Sequence, residues 1–199
     1  NLDSLVVPNV LEAITKVFEA EGTSLKGFLR VVFTSQAYQL GSETLDINGA
    51  SYFATHRPRR QHSEVLLAAL RDLTGAGMSV DDEGFFNRAY GYPTLRRQIA
   101  ERRDAPNTSQ ALILMNSPII ADMIEANGGT VALLAADVAA NRLTREAAIR
   151  RLFRMVLSRE PATDELGFAT QALQTAGSVR EGLEDVFSGL ITTVEFVMR

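Results

Sequence analysis

Ser178-Val179-Arg180-Glu181-Gly182-Leu183-Glu184-Asp185-Val186-Phe187-Ser188-Gly189-Leu190-Ile191-Thr192-Thr193-Val194-Glu195-Phe196-Val197 lies at the C-terminal end of the chain, with apolar residues at Leu183, Val186, Phe187, Leu190, Ile191, Val194 and Val197. Steps of three and four residues put these side chains on one side of an α-helix, because about 3.6 residues complete a turn. A half-buried strand would alternate instead. The spacing predicts one amphipathic helix from Ser178 to the C-terminus.

The same period recurs toward the N-terminus. Pro161 with Thr163 starts a helix that Gly177 ends, and Thr144 caps one with Ile149, Leu152, Phe153, Val156 and Leu157 on its apolar face. Helical signal also covers 131–140 and 108–126. A further helix spans about 61–73, burying Val65, Leu66, Leu70 and Leu73, with Gly75 and Gly77 closing it. Ser24 caps a helix carrying Leu25, Phe28, Leu29, Val32 and Phe33. Pro8 opens another, carrying Val10, Leu11, Ile14, Val17 and Phe18, which Gly22 ends. The pattern is irregular from 41 to 54 and least regular from 76 to 107, where Gly84, Gly91, Pro93 and Pro106 mix with Phe85, Phe86, Tyr90 and Tyr92. No strand pattern persists. The expectation is an all-α fold, a single compact domain over 1–199 of about eight helices with a long irregular segment near 76–107, open to subdivision into 1–107 and 108–199.

At 199 residues, 46% hydrophobic and 22% charged, the chain has ordinary globular composition and enough length to bury a core without staples. It contains no cysteine, which excludes disulfides, thiolate metal sites and cysteine nucleophiles within this chain. The net charge of −4 opposes nucleic-acid binding. All but Lys16 and Lys26 of the 20 basic residues are arginine, which suits two-pronged pairing with carboxylates and follows equally from a GC-rich coding sequence with no physical purpose. The charge-free stretch from 105 to 121 is interrupted by Pro106, Asn107, Asn116 and Pro118, and is too short to cross a bilayer. The first residue, Asn1, suits a processed or excised start.

Two arginine clusters stand out. Arg57, Arg59, Arg60, Glu64, Arg71 and Asp72 form the first, with Arg60 and Glu64 four residues apart. It reads either as a pocket for a carboxylate, phosphate or sulfate or as a network stapling neighbouring helices. Arg96, Arg97, Arg102 and Arg103 form the second, with Glu101 and Asp104 interleaved. Tyr90 and Tyr92 precede it, an arrangement that can serve single-stranded nucleic acid, but the acids dilute it.

Signatures of catalysis are missing. There is no Gly-x-Ser-x-Gly elbow, Gly75-Ala76-Gly77 does not extend into a dinucleotide fingerprint, and there is no phosphate-binding loop. His56 and His62 are six residues apart, unsuited to one helix face, and no metal or other cofactor is expected. Asp81-Asp82-Glu83 lacks the alternating oxygen ligands of a calcium loop and reads as a solvated acidic turn.

Six ordered segments carry a family resemblance. Arg59-Arg60-Gln61-His62-Ser63-Glu64 followed by Leu70-Arg71-Asp72 and Gly75 resembles an "RR…E…RD…G" signature. Ser24-Leu25-Lys26 through Thr34-Ser35-Gln36-Ala37-Tyr38 is similar to "slK.l.r.i..S..Y". Tyr90-Gly91-Tyr92-Pro93 with Glu101-Arg102 resembles "fG.P…cER", and Gln110-Ala111-Leu112 to Leu114-Met115-Asn116 resembles "QAL.LLN". Leu157-Ser158-Arg159-Glu160-Pro161 with Glu165 is similar to "LsR.Pt..E", and 181–185 through Glu195-Phe196 to "eg.eDl.wal.nskEF". Together they resemble a bacterial domain of unknown function at the C-terminal end of planctomycete-type exported proteins, downstream of planctomycete cytochrome c domains. Ile99 and Ala100 stand where many members carry cysteines.

The resemblance implies a fragment of a larger exported protein, at the periplasm or cell surface, whose partners are neighbouring domains or other proteins. It supplies no activity, cofactor or catalytic residue. The function expected is therefore a non-catalytic helical interaction or scaffold domain, linked to cytochrome c-associated or surface polymer-handling machinery. The alternative is a ligand-binding or hydrolytic domain in which Arg59, Arg60, Glu64, Arg71, Asp72, Glu101 and Arg102 form one pocket.

Overall fold

The structure is a computed structural model that describes residues 8–40, 59–92 and 108–198. These residues form eleven α-helices and no strand: α1 (Pro8–Ala20), α2 (Leu25–Thr34), α3 (Ser63–Thr74), α4 (Val80–Ala89), α5 (Thr108–Asn116), α6 (Pro118–Ile124), α7 (Thr130–Ala139), α8 (Arg145–Leu157), α9 (Thr163–Thr175), α10 (Val179–Ile191) and α11 (Val194–Val197). The chain divides into two compact units, Asn1–Pro58 and Arg59–Arg199.

In the first unit, α1 and α2 are joined by a turn in which Gly22 and Thr23 both have positive φ, 63° and 59°. Ser24 then caps α2, its Oγ accepting from the Gly27 amide at 3.2 Å. The predicted apolar faces meet edge-on through Phe18 and Phe28, with ring centroids 5.6 Å apart.

In the second unit α10 is the central helix, packing against α6, α7, α8 and α9. Its predicted stripe is buried at Leu183, Val186, Phe187, Leu190 and Ile191. Gly182 sets how near α9 can come, because a Cβ there would lie 2.8 Å from Leu173 Cα. Leu66, Leu70, Ile149, Leu152 and Val131 complete the middle of the core. Burying so much apolar side-chain surface is the main force holding these helices together.

The all-α expectation agrees with the described residues, while the expected count of about eight helices is too low. Three local effects account for the difference. Within the segment expected to be irregular, Ser79 accepts from the Asp82 amide at 3.2 Å and begins α4. The Asp81-Asp82-Glu83 run is therefore the first turn of a helix, where carboxylates complement the exposed amides of the N-terminus. Pro118 divides the expected 108–126 helix into α5 and α6, with Ser117 between them. Near the C-terminus Thr193 acts as a new N-cap, its Oγ1 accepting from the Phe196 amide at 3.2 Å, and it separates α11 from α10. The break turns Val194 out of the expected stripe, leaving it 76% exposed. One face is also corrected: in α3, Leu67 is buried and Val65 is exposed. The expected irregularity over 41–54 and the remainder of 76–107 beyond Tyr92 lie outside the described residues.

Candidate functional site

The segment entering α3 lies against the last residues of the chain. Arg60 forms an isolated antiparallel bridge with Met198. The Gln61 amide donates to Val197 O at 2.9 Å, and Gln61 Nε2 donates to Phe196 O at 3.0 Å. Residues more than 130 positions apart in sequence are thereby tied by one main-chain and one side-chain hydrogen bond of Gln61.

Arg60 is 4% exposed. Its Nη1 donates to Gln61 O at 2.9 Å and its Nη2 to Tyr90 O at 3.0 Å. The guanidinium also lies over the Tyr90 ring, 5.4 Å from its centroid, so charge and ring quadrupole attract. Tyr90 stacks on Phe86 at 4.4 Å and donates its hydroxyl proton to Gln110 O at 2.8 Å. Gln110 Nε2 returns a bond to Ala89 O at 3.1 Å. Burial pushes the Tyr90 hydroxyl well above its ordinary range, with Arg60 pulling more weakly the other way, so Tyr90 remains a neutral donor.

This knot forms one wall of a cavity of about 320 Å³ lined by Arg60, Tyr90, Gln110, Leu114, Met115 and Val197 among others. The lining is mainly apolar, and its residues come from the entrance of α3, the end of α4, α5 and the α11 region.

A second constellation is ionic. Arg159 sits between α8 and α9, just after Ser158, whose φ of 58° turns the chain out of α8. Arg159 Nη1 and Nη2 donate to the two Glu165 carboxylate oxygens, both at 2.7 Å. Its Nε and Nη2 donate to the two Glu195 oxygens, both at 2.8 Å. Nη1 also reaches Glu160 O at 3.1 Å. One guanidinium thus clasps the start of α9 to α11. Glu165 Oε2 also accepts from the Ala162 amide at 2.8 Å, closing the N-terminal turn of α9. The Arg159 hydrogen bonds, followed by that amide, hold the Glu165 carboxyl down at about 2.

The residues singled out from sequence separate. Helix α3 begins at Ser63, so Arg60 precedes it and does not share the helix face of Glu64. Glu64 accepts from Ser63 Oγ at 3.1 Å. Arg71 pairs with Glu83 of α4, joining α3 to its neighbour. Arg59 and Asp72 are exposed. His62 is the exposed N-cap residue of α3. Glu101 and Arg102 lie outside the described residues, as do Arg57, His56, Ile99, Ala100 and the rest of the second arginine cluster.

Reading the residues one by one missed the joining roles of Tyr90, Gln110, Arg159, Glu165 and Glu195. Their signal was present only as separate segments of the family resemblance. Among the described residues no group of three His, Asp or Glu side chains is placed to hold a metal. Among them, too, no helix is long and apolar enough to cross a membrane.

A family model described as "PSD1: Protein of unknown function (DUF1553)" matches residues 85–173. The matched stretch is under half of the chain and runs from within α4 to within α9. It includes Tyr90, Gln110, Arg159 and Glu165, while Arg60 and Glu195 fall outside it. No curated protein and no solved structure matches the chain.

Proposed function

We propose that the chain is a non-catalytic helical interaction domain of an exported bacterial protein. The observation that carries this reading is where the motif arginines go. Arg159 is held by Glu165 and Glu195, Arg71 by Glu83, and Arg60 donates to main-chain carbonyls while buried against Tyr90. A catalytic or anion-binding arginine has to present donors to a substrate, whereas these donors are spent on groups of the chain itself and join one helix or helix entrance to another. The arginine motifs therefore act as fasteners of a rigid surface. The partners it serves are neighbouring domains or other proteins.

Placement at the periplasm or cell surface, beside cytochrome c-associated or polymer-handling machinery, belongs to the same proposal and is supported by the motif resemblance alone. Fractionating the cells that produce the chain tests the placement, and recovery only from the cytosol refutes it.

The test of function is a turnover screen of the full chain on glycans, carboxylic esters and phosphoesters, with Arg60→Ala and Glu64→Ala in parallel. A thermal-shift screen against metals, haem, phosphate, sulfate and glycans accompanies it. The expected result is no turnover and no shift with any anion. Turnover abolished by Arg60→Ala or Glu64→Ala, in a variant that still folds, replaces this reading with a hydrolytic one. A phosphate or sulfate shift lost in Arg60→Ala replaces it with an anion-binding one.

A further inference from the structure

The arginine fasteners do not account for the cavity beside them. We propose that this cavity of about 320 Å³ is a binding site for a small, uncharged, predominantly apolar molecule of one or two fused rings or an equivalent aliphatic body. This stands apart from the interaction reading, since a bound apolar molecule requires no turnover and no partner protein.

Size is the first argument. The cavity opens to solvent and has roughly twice the volume of the ~150 Å³ closed apolar cavity that admits benzene. It also lies at the lower end of the range of about 300–1,000 Å³ in which small-molecule sites fall.

The lining chemistry is the second. Ala111, Leu114, Met115, Val194, Val197 and Met198 supply the apolar part of the wall, and an ion entering there would give up its water against hydrocarbon and thioether groups. An apolar molecule instead releases water from both surfaces. Methionines suit such a wall, because their unbranched side chains adapt to the shape of the occupant.

Preorganisation is the third. Polar side chains at the cavity already make hydrogen bonds within the protein: Arg60 to Tyr90 O, the Tyr90 hydroxyl to Gln110 O, Gln110 Nε2 to Ala89 O, and the Thr192 and Thr193 hydroxyls to Gly189 O and Leu190 O. A wall fixed in this way does not have to be ordered when a ligand arrives, which lowers the entropy cost of binding. Because the wall comes from four separate stretches of chain, an occupant also braces the junction between the α3 entrance and α11.

The chain contains no tryptophan, so the emission of added indole reports directly on its surroundings. Full-length chain is titrated into indole, following the blue shift that accompanies transfer from water to an apolar site. Ala111→Phe and Val194→Phe are measured alongside; both positions line the cavity and are exposed, so a larger side chain fills space there without entering the core. Melting of each variant without indole identifies any that fails to fold, and the other then carries the comparison. The expected result is a saturable shift in the parent chain, weakened at least tenfold in a folded variant. Absence of a saturable shift overturns the proposal, and so does a shift of equal affinity in a folded variant, which places indole elsewhere on the chain.

Discussion

Substituting Gly182 with alanine tests how the second unit is assembled. A Cβ at this position would lie 2.8 Å from Leu173 Cα, 3.1 Å from Leu173 Cγ and 3.2 Å from Ala176 Cβ. The first of these is a backbone atom, so relief requires α9 to move away from α10 along a buried interface. Overpacking of this kind costs about 1–3 kcal/mol. Alanine would regain about 0.5–1 kcal/mol through its better helix propensity, and less than that in the first turn. Gly182→Ala is therefore expected to destabilise the chain by about 1.5 kcal/mol. With a urea m-value of about 2 kcal/mol/M, the midpoint falls by roughly 0.7 M. Gly189→Ala is the matched control, since it lies in the same helix and a Cβ there would meet nothing within 4 Å. That variant is expected to raise the midpoint by roughly 0.3 M, from propensity alone. Equilibrium urea unfolding followed by circular dichroism reads both. If Gly182→Ala proves as stable as Gly189→Ala, α9 and α10 are not in close contact at Leu173 and Gly182.

Arg159→Met removes both two-pronged ion pairs and leaves Glu165 and Glu195 facing each other; as all three groups are about a third exposed or more, the expected loss is only about 1–2 kcal/mol, read as a urea midpoint. The pH dependence has a definite sign. Glu165 is held at about 2 against an ordinary 4.5, so the stability it contributes is complete above pH 4.5 and is lost as pH falls through that interval to about 2. Unfolding measured from pH 6 to about 2 is expected to flatten over that interval in Glu165→Gln. Tyr90→Phe deletes the bond to Gln110 O while keeping the stack on Phe86, and is expected to cost about 1 kcal/mol in the same urea assay. An unchanged midpoint in Tyr90→Phe would mean that the hydroxyl has no part in holding α4 to α5.

Short-range features were legible in the sequence. Ser24 and Thr144 cap helices as their positions predict, because a cap depends only on a side-chain oxygen reaching an amide two or three residues away. The stripe from Leu183 to Ile191 is buried as its period requires. Helix α4 is not legible from periodicity because its apolar period is weak and Gly84 interrupts it, while its Ser79 cap and acidic first turn carry the signal instead. Around Thr193 the period alone predicts an unbroken helix, because Val194 and Val197 keep it. The competing cap geometry prevailed there, and Val194 was turned outward.

For the candidate site, Arg60 was legible as a residue of interest but its partners were not. A spacing of four residues pointed to Glu64, whereas Arg60 reaches the Tyr90 carbonyl thirty positions away. Nor does local sequence connect Arg159 with Glu195, which is thirty-six positions distant. The sequence by itself determined the helical class, the Ser24 and Thr144 caps, the apolar face of α10 and the absence of thiol chemistry, all of which depend on residue identity or on neighbours within about two turns. Only the tertiary structure decided which arginine meets which carboxylate, which side of α3 is buried, and that a cavity opens between α5 and the chain's last residues. Those outcomes depend on how helices far apart in the chain pack, and a periodicity specifies the face a helix buries without specifying the neighbour that covers it.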